Sequence, residues 1–122
     1  MSFLYPSTPK KLMQSRYDAF VRGDGVYLAE TTTQKTSTDM SAYSNITWLK
    51  LEILDAYDDI VEFKAYYKEN DKIFLLHEKS RFVKVDGRWK YQDGEIFNTP
   101  IKRNELCPCG SGKKFKRCCS LT

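Results

Sequence analysis

All four cysteines of this 122-residue chain lie within its last sixteen residues, CPCGSGKKFKRCCSLT, as Cys107, Cys109, Cys118 and Cys119. No other feature constrains the fold as strongly. A segment of about twenty residues buries too little apolar surface to fold alone. Leu106 and Phe115 are the only large apolar side chains between Lys102 and Ser120. The tail therefore needs a cross-link or an ion to acquire a shape, and the residues before it must fold without thiols.

From the residues alone, three readings of the thiols are open. In the first, four thiolates surround one Zn²⁺ tetrahedrally, with Zn–S near ~2.3 Å. The turn chemistry suits this. Pro108 fixes φ between the first two ligands. Gly110 and Gly112 permit left-handed backbone and let amides face sulfur. Ser111 adds a small hydroxyl, and Lys113, Lys114, Lys116 and Arg117 offset the negative charge of a zinc–tetrathiolate centre. Structural zinc can supply ~10–16 kcal/mol, enough to couple folding to metal. In the second reading the thiols form disulfides. Bonding the adjacent Cys118 and Cys119 to each other is strained, which leaves crossed pairs to Cys107 and Cys109. Such frameworks belong to small secreted domains, and MSFLYPSTPKK lacks the charged start and apolar run of a secretory signal. The third reading is a reduced basic tail with incidental thiols. One structural zinc ion is the reading adopted, in a cytoplasmic, reducing setting. Iron is the other metal that four soft thiolates accept. A closed four-thiolate shell leaves no position for catalysis.

Before the tail, the hydrophobic period changes once. Thr8 is placed to cap a helix that begins at Pro9. Leu12, Met13, Arg16, Tyr17, Phe20 and Val21 then recur at three- and four-residue steps. Gly23-Asp24-Gly25 ends this helix. A second short helix is expected over Val26 to about Thr32, and a helical turn near Met40–Tyr43 inside a polar loop. From Leu49 the period is two. Turns are expected at Asp58-Asp59, at Glu69–Lys72 and at Asp86-Gly87, the last a strong hairpin signal. Strands run between them, and the final one is expected over Arg88 to Gln92. Helices followed by an antiparallel meander make an α+β domain. A curved sheet around the first helix would bury Leu12, Phe20, Leu51, Phe63 and Trp89. The expected organisation is a body over residues 1–97, then a linker and zinc knuckle over 98–122.

Charge is uneven along the chain. Residues 101–122 hold six Lys/Arg against one carboxylate, Glu105, a net +5; the whole chain is +4, so the rest is −1. A basic tail suits an acidic protein surface or nucleic acid, or simply a solvated face that neutralises the metal site. Phe115 is the tail's only aromatic, which poorly supplies a base-stacking platform. No apolar run approaches the ~20 residues of a membrane span.

Two resemblances follow from these residues. Arg103, Asn104, the run Cys107 to Lys116 and Cys118-Cys119 closely resemble the SEC-C motif, named for the tail of the translocation ATPase SecA. The resemblance implies zinc at the four cysteine positions and a protein-binding tag; in SecA the motif engages an export chaperone. The implied partners are a chaperone, a translocation factor or the ribosome. Leu12 to Val21 with Tyr27-Leu28, Val61-Glu62-Phe63, His77 to Phe82, Gly87 to Tyr91 and Gly94 resemble the bacterial YchJ-like family. That resemblance implies a nuclear-transport-factor-like cone. Many members carry a cysteine cluster before the first helix, where this chain has Ser7, Thr8 and Pro9.

A cone of this kind can hold a pocket, so a small-ligand binder or enzyme is the alternative function. The candidate pocket residues are Arg16, Tyr17, His77, Glu78 and Arg81. His77 is the only histidine and the natural proton carrier. In a strand, however, His77, Lys79 and Arg81 share one face and Glu78, Ser80 and Phe82 the other, so His77 and Glu78 do not form a dyad. Glu78 is instead expected to meet Arg16 as a buried ion pair. No nucleophile elbow, phosphate loop or catalytic metal pattern occurs, and no catalytic residue is assigned. A protein-interaction module built on the zinc knuckle is the function the sequence favours.

Overall fold

A computed structural model describes residues 5–119. The first helix, α1, spans Pro9–Arg22. The Thr8 hydroxyl accepts from the Lys11 amide, and Gly23 closes the helix in the left-handed conformation (φ 72°). The second, α2, covers Gly25–Glu30 and starts one residue earlier than expected. Its cap is Asp24, whose carboxylate accepts from the Tyr27 amide. Gly25 is required there because a Cβ would stand 2.0 Å from the carbonyl oxygen of Thr38, so the polar loop lies directly on the helix start. A 3₁₀ turn at Ser41–Tyr43 leads into the sheet.

Four strands form one antiparallel meander in sequence order: β1 (Ile46–Tyr57), β2 (Ile60–Glu69), β3 (Lys72–Val85) and β4 (Arg88–Phe97). The three connections are two-residue turns. Asn70-Asp71 and Asp86-Gly87 each place both central residues at positive φ, the geometry that matches strand twist. Register shifts at Trp48/Lys50, Ile53/Asp55 and Arg81/Phe82 bend the sheet. The final strand runs five residues beyond Gln92. The polar stretch Gln92 to Glu95 reads as a strand end in isolation, but the fourteen-residue β3 continues to offer it a ladder, with Arg81 opposite Asp93 and Lys79 opposite Glu95.

Helix α1 lies against the inner face of the sheet. Leu12, Met13, Val61, Phe63, Ala65 and Phe82 form the main core, with Leu51 and Trp89 half-buried against it. Phe20 joins a second cluster instead, packed on Ala19, Tyr27 and Leu28. The segment after α2 returns to the free edge of β4. Tyr91 N donates to Thr31 O (2.7 Å), and Thr33 N donates to Tyr91 O (3.0 Å). This short parallel pairing covers an edge that would otherwise be open to other strands. Among the described residues no helix is long and apolar enough to cross a membrane.

Candidate metal centre and helix–sheet cavity

The tail folds as a turn closed by a bridge. Leu106 pairs with Lys114, Cys107 N donates to Lys113 O (2.7 Å), and Phe115 N donates to Glu105 O (2.7 Å). Gly110 and Gly112, at φ 84° and 83°, turn the chain inside this bridge, where a side chain would be strained. A 3₁₀ turn, Phe115–Arg117, then delivers Cys118 and Cys119.

The Sγ atoms of Cys107, Cys109, Cys118 and Cys119 all lie within 4.8 Å of one another. Cys109 and Cys118 are 3.5 Å apart, and Cys118 and Cys119 are 4.0 Å apart. Sulfurs on a tetrahedron of ~2.3 Å bonds stand about 3.8 Å apart, so these separations bracket the spacing a single ion imposes. All four thiols are free of disulfides. Hydrogen bonds from the Ser111 hydroxyl and the Cys107 thiol, and from the Ser111 amide, lower the Cys109 thiol to about 6. Burial, then bonding to the other three cysteines, pushes Cys119 up to about 12. Four thiols packed this closely do not all ionise with equal ease until a cation balances them. The residues fit one divalent ion, and this four-cysteine cluster is a site able to hold it.

Lys113, Lys114 and Arg117 are exposed around the cluster, and Lys116 is half-buried. Among the described residues none of the four makes an ion pair with a carboxylate. The approach to the tail is tied to the outer face of the sheet. His77 Nδ1 lies 2.7 Å from Thr99 Oγ1 in the connecting segment, and its ring packs on Phe97 at 4.9 Å. Tyr66, also on the outer face, is 1% exposed. Burial, then the Glu52 and Glu105 carboxylates, push its phenol up to about 12. Glu105 belongs to the tail, so the tail contributes to the surroundings of a strand residue.

The structure divides the five candidate pocket residues. Arg16, Tyr17 and Glu78 line a cavity of about 230 Å³ between α1 and the inner face of the sheet. His77 and Arg81 do not, because strand alternation turns both to the outer face. There His77 Nε2 meets Glu62 Oε2 at 2.8 Å, and exposed Arg81 forms a two-pronged pair with Asp93 at 2.6 and 2.9 Å. The direct Arg16–Glu78 ion pair is also absent. Arg16 Nη1 instead donates to Leu28 O, Thr31 Oγ1 and Thr32 Oγ1 at 3.1, 2.7 and 2.8 Å. The guanidinium sits over the Tyr91 ring at 4.9 Å, and the Tyr91 hydroxyl donates to Glu78 Oε2 at 2.9 Å. Tyr91 therefore stands between the two charges. Burial lowers the Arg16 pKa and raises that of Tyr91, which the Glu78 carboxylate raises further.

Sequence reasoning missed Ser80, whose hydroxyl donates to the same Glu78 oxygen at 2.6 Å. It also missed the role of Gly94, where a Cβ would stand 2.1 Å from Glu78 Oε2. A glycine inside a strand commonly marks such a close approach, and that signal was available. The aromatic walls, Trp48, Phe20 and Tyr43, come from three separate elements, so only the fold gathers them.

Fold and site together define a class: a small α+β domain with a helix on a curved meander, carrying a C-terminal four-cysteine motif. Residues 8–94 match the YchJ middle NTF2-like domain, and residues 103–121 match the SEC-C motif. The chain belongs to the YchJ-like family, whose curated relatives bear the name UPF0225. It is 36% identical to a UPF0225 protein of Vibrio parahaemolyticus, over 92% of this chain and 83% of that protein. It is 39% identical to one from an Enterobacter species, over 91% and 80%. It also resembles the solution structure of a SEC-C motif containing protein from Rhodopseudomonas palustris. The TM-score is 0.70 at 28% identity, covering 78% of this chain and 83% of that one.

Proposed function

We propose that residues 98–122 form a linker and a knuckle holding one structural zinc ion, that residues 1–97 form a separate body, and that the knuckle is a docking tag for a protein partner. The observation that carries this is the closed set of four sulfurs within 4.8 Å of one another, ringed by Lys113, Lys114, Lys116 and Arg117 with no carboxylate paired to them among the described residues. Bound zinc supplies charge and shape and no chemistry, because four thiolates complete its shell. A rigid basic surface of this kind suits an acidic face on a chaperone, a translocation factor or a ribosomal protein in the reducing cytoplasm. Charge complementarity would set the association rate and its salt dependence.

The test is affinity capture on the full chain with and without chelator, with metal analysis of the same preparation. Zinc near one ion per chain is expected, with capture lost on chelation and in Cys118→Ser/Cys119→Ser. Full capture by that variant, or a freshly reduced sample without stoichiometric metal, would overturn the reading. Capture that survives protein competitors but collapses on nuclease treatment would assign the surface to RNA instead.

A further inference from the structure

The helix–sheet cavity has two sets of walls with different chemistry. Its mouth is aromatic: Tyr43 is 41% exposed, and Phe20 and Trp48 stand behind it with ring centroids 5.5 Å apart. Tyr17 closes one side, edge-on to Trp48 at 5.8 Å. Its floor is charged: Arg16 and Glu78 are each 8% exposed, and both line the cavity. Each of these charges is only half used by the protein. Both hydrogen bonds to Glu78, from Ser80 and Tyr91, end on Oε2, and Oε1 has no donor among the described residues. All three hydrogen bonds from Arg16 leave Nη1, and Nη2 and Nε have no acceptor there.

No buried side-chain N or O atom lacks a partner among the described residues, so these unpaired atoms are open to water that an occupant can replace, and a chain without a use for the two charges could replace them by apolar residues at little loss. Gly94 adds to the case. Any side chain at that position would displace the Glu78 carboxylate, so the strand keeps a gap where the acid stands. The requirements on an occupant then follow. The cavity's two charges cancel, so a charged occupant would leave one charge of a mostly buried floor unbalanced. Glu78 Oε1 calls for an N–H or O–H donor. The free guanidinium nitrogens of Arg16 call for an acceptor. The aromatic mouth favours a flat ring, and about 230 Å³ limits it to one small ring system with its substituent.

We propose that this cavity is a binding site for a small, neutral, planar amide-type compound: an aromatic or heteroaromatic ring whose polar edge carries an N–H donor to Glu78 beside a carbonyl acceptor for Arg16. This site is independent of the knuckle, so it stands or falls separately from the docking function.

Three compounds of nearly equal shape test it on the metal-loaded full chain: benzamide, benzoate and benzylamine. Saturation-transfer NMR and Trp fluorescence read binding. Benzamide is expected to bind in the millimolar range or tighter, and the anion and cation at least tenfold more weakly. Glu78→Gln should weaken benzamide at least tenfold, because it presents an amide in place of the carboxylate. Arg81→Ala, on the outer face, should leave binding unchanged. If Glu78→Gln does not fold, Trp48→Leu at the mouth carries the same expected loss. The proposal is overturned if none of the three compounds binds, if benzoate or benzylamine binds as well as benzamide, or if the folded Glu78 or Trp48 variant binds benzamide like the parent.

Discussion

Replacing Gly94 by alanine tests how the cavity floor is held. The added Cβ would stand 2.1, 2.7 and 2.9 Å from Oε2, Cδ and Cγ of Glu78. All three atoms belong to a flexible side chain, so the overlap itself can be relieved by moving the carboxylate. The cost lies in what the carboxylate must abandon. It accepts from Ser80 at 2.6 Å and from Tyr91 at 2.9 Å, in a residue 8% exposed. Hydrogen bonds to a charged group contribute about 1.5–3 kcal/mol each. Partial recovery in the displaced position, and the ~0.4–1 kcal/mol that Gly→Ala returns by restricting the unfolded chain, reduce the total. A net loss of roughly 2–4 kcal/mol is expected, or a fall in Tm of about 10–20 °C at about 5 °C per kcal/mol. A double-mutant cycle with Glu78→Ala, followed by urea unfolding, isolates the cause. Once Glu78 is truncated, the space over Gly94 is empty, and the alanine should cost nothing or stabilise slightly. Equal costs for Gly94→Ala in both backgrounds would refute the reasoning, as would a Gly94→Ala protein as stable as the parent.

Other positions give independent checks. The Tyr66 phenol is raised to about 12 by burial and by Glu52 and Glu105. The unfolded chain therefore ionises first, and the stability this phenol contributes is complete below pH 10 and drains away as pH rises from about 10 to 12. Tyr66→Phe should flatten that part of the alkaline stability curve, and an unchanged curve would contradict it. Thr8→Ala removes the acceptor for the Lys11 amide and should cost about 1 kcal/mol, read as a lower urea midpoint at constant slope. His77→Ala removes the bonds to Glu62 and Thr99. It should speed tryptic cleavage at Lys102 and Arg103 at least several-fold while leaving metal content unchanged; unchanged cleavage would show that His77 does not anchor this segment.

Local chemistry made most of the fold readable. Thr8, Pro9 and Gly23 delimit the first helix because capping and left-handed termination depend on adjacent residues. Asp86-Gly87 made its hairpin for the same reason. The four-cysteine cluster was equally legible: its sulfurs lie within thirteen positions, so backbone turns alone can bring them together. The errors came where distant residues compete. The end of β4 depended on the length of β3, and the reach of Arg16 depended on where Thr31 and Thr32 come to rest.

The sequence by itself determined the helices-then-meander order, the turns and the gathering of four sulfurs, since each is decided by neighbours a few bonds away. It also determined, through alternation along β3, that His77 and Glu78 face opposite sides. Only the tertiary structure decided that Tyr91 separates Arg16 from Glu78, that Gly94 makes room for the carboxylate, and that aromatic residues from α1, the 3₁₀ turn and β1 close over one cavity. The physical reason is range. Caps, turns and closely spaced thiols are satisfied locally, whereas a desolvated charge takes whichever donor or acceptor the packing of remote elements brings within reach.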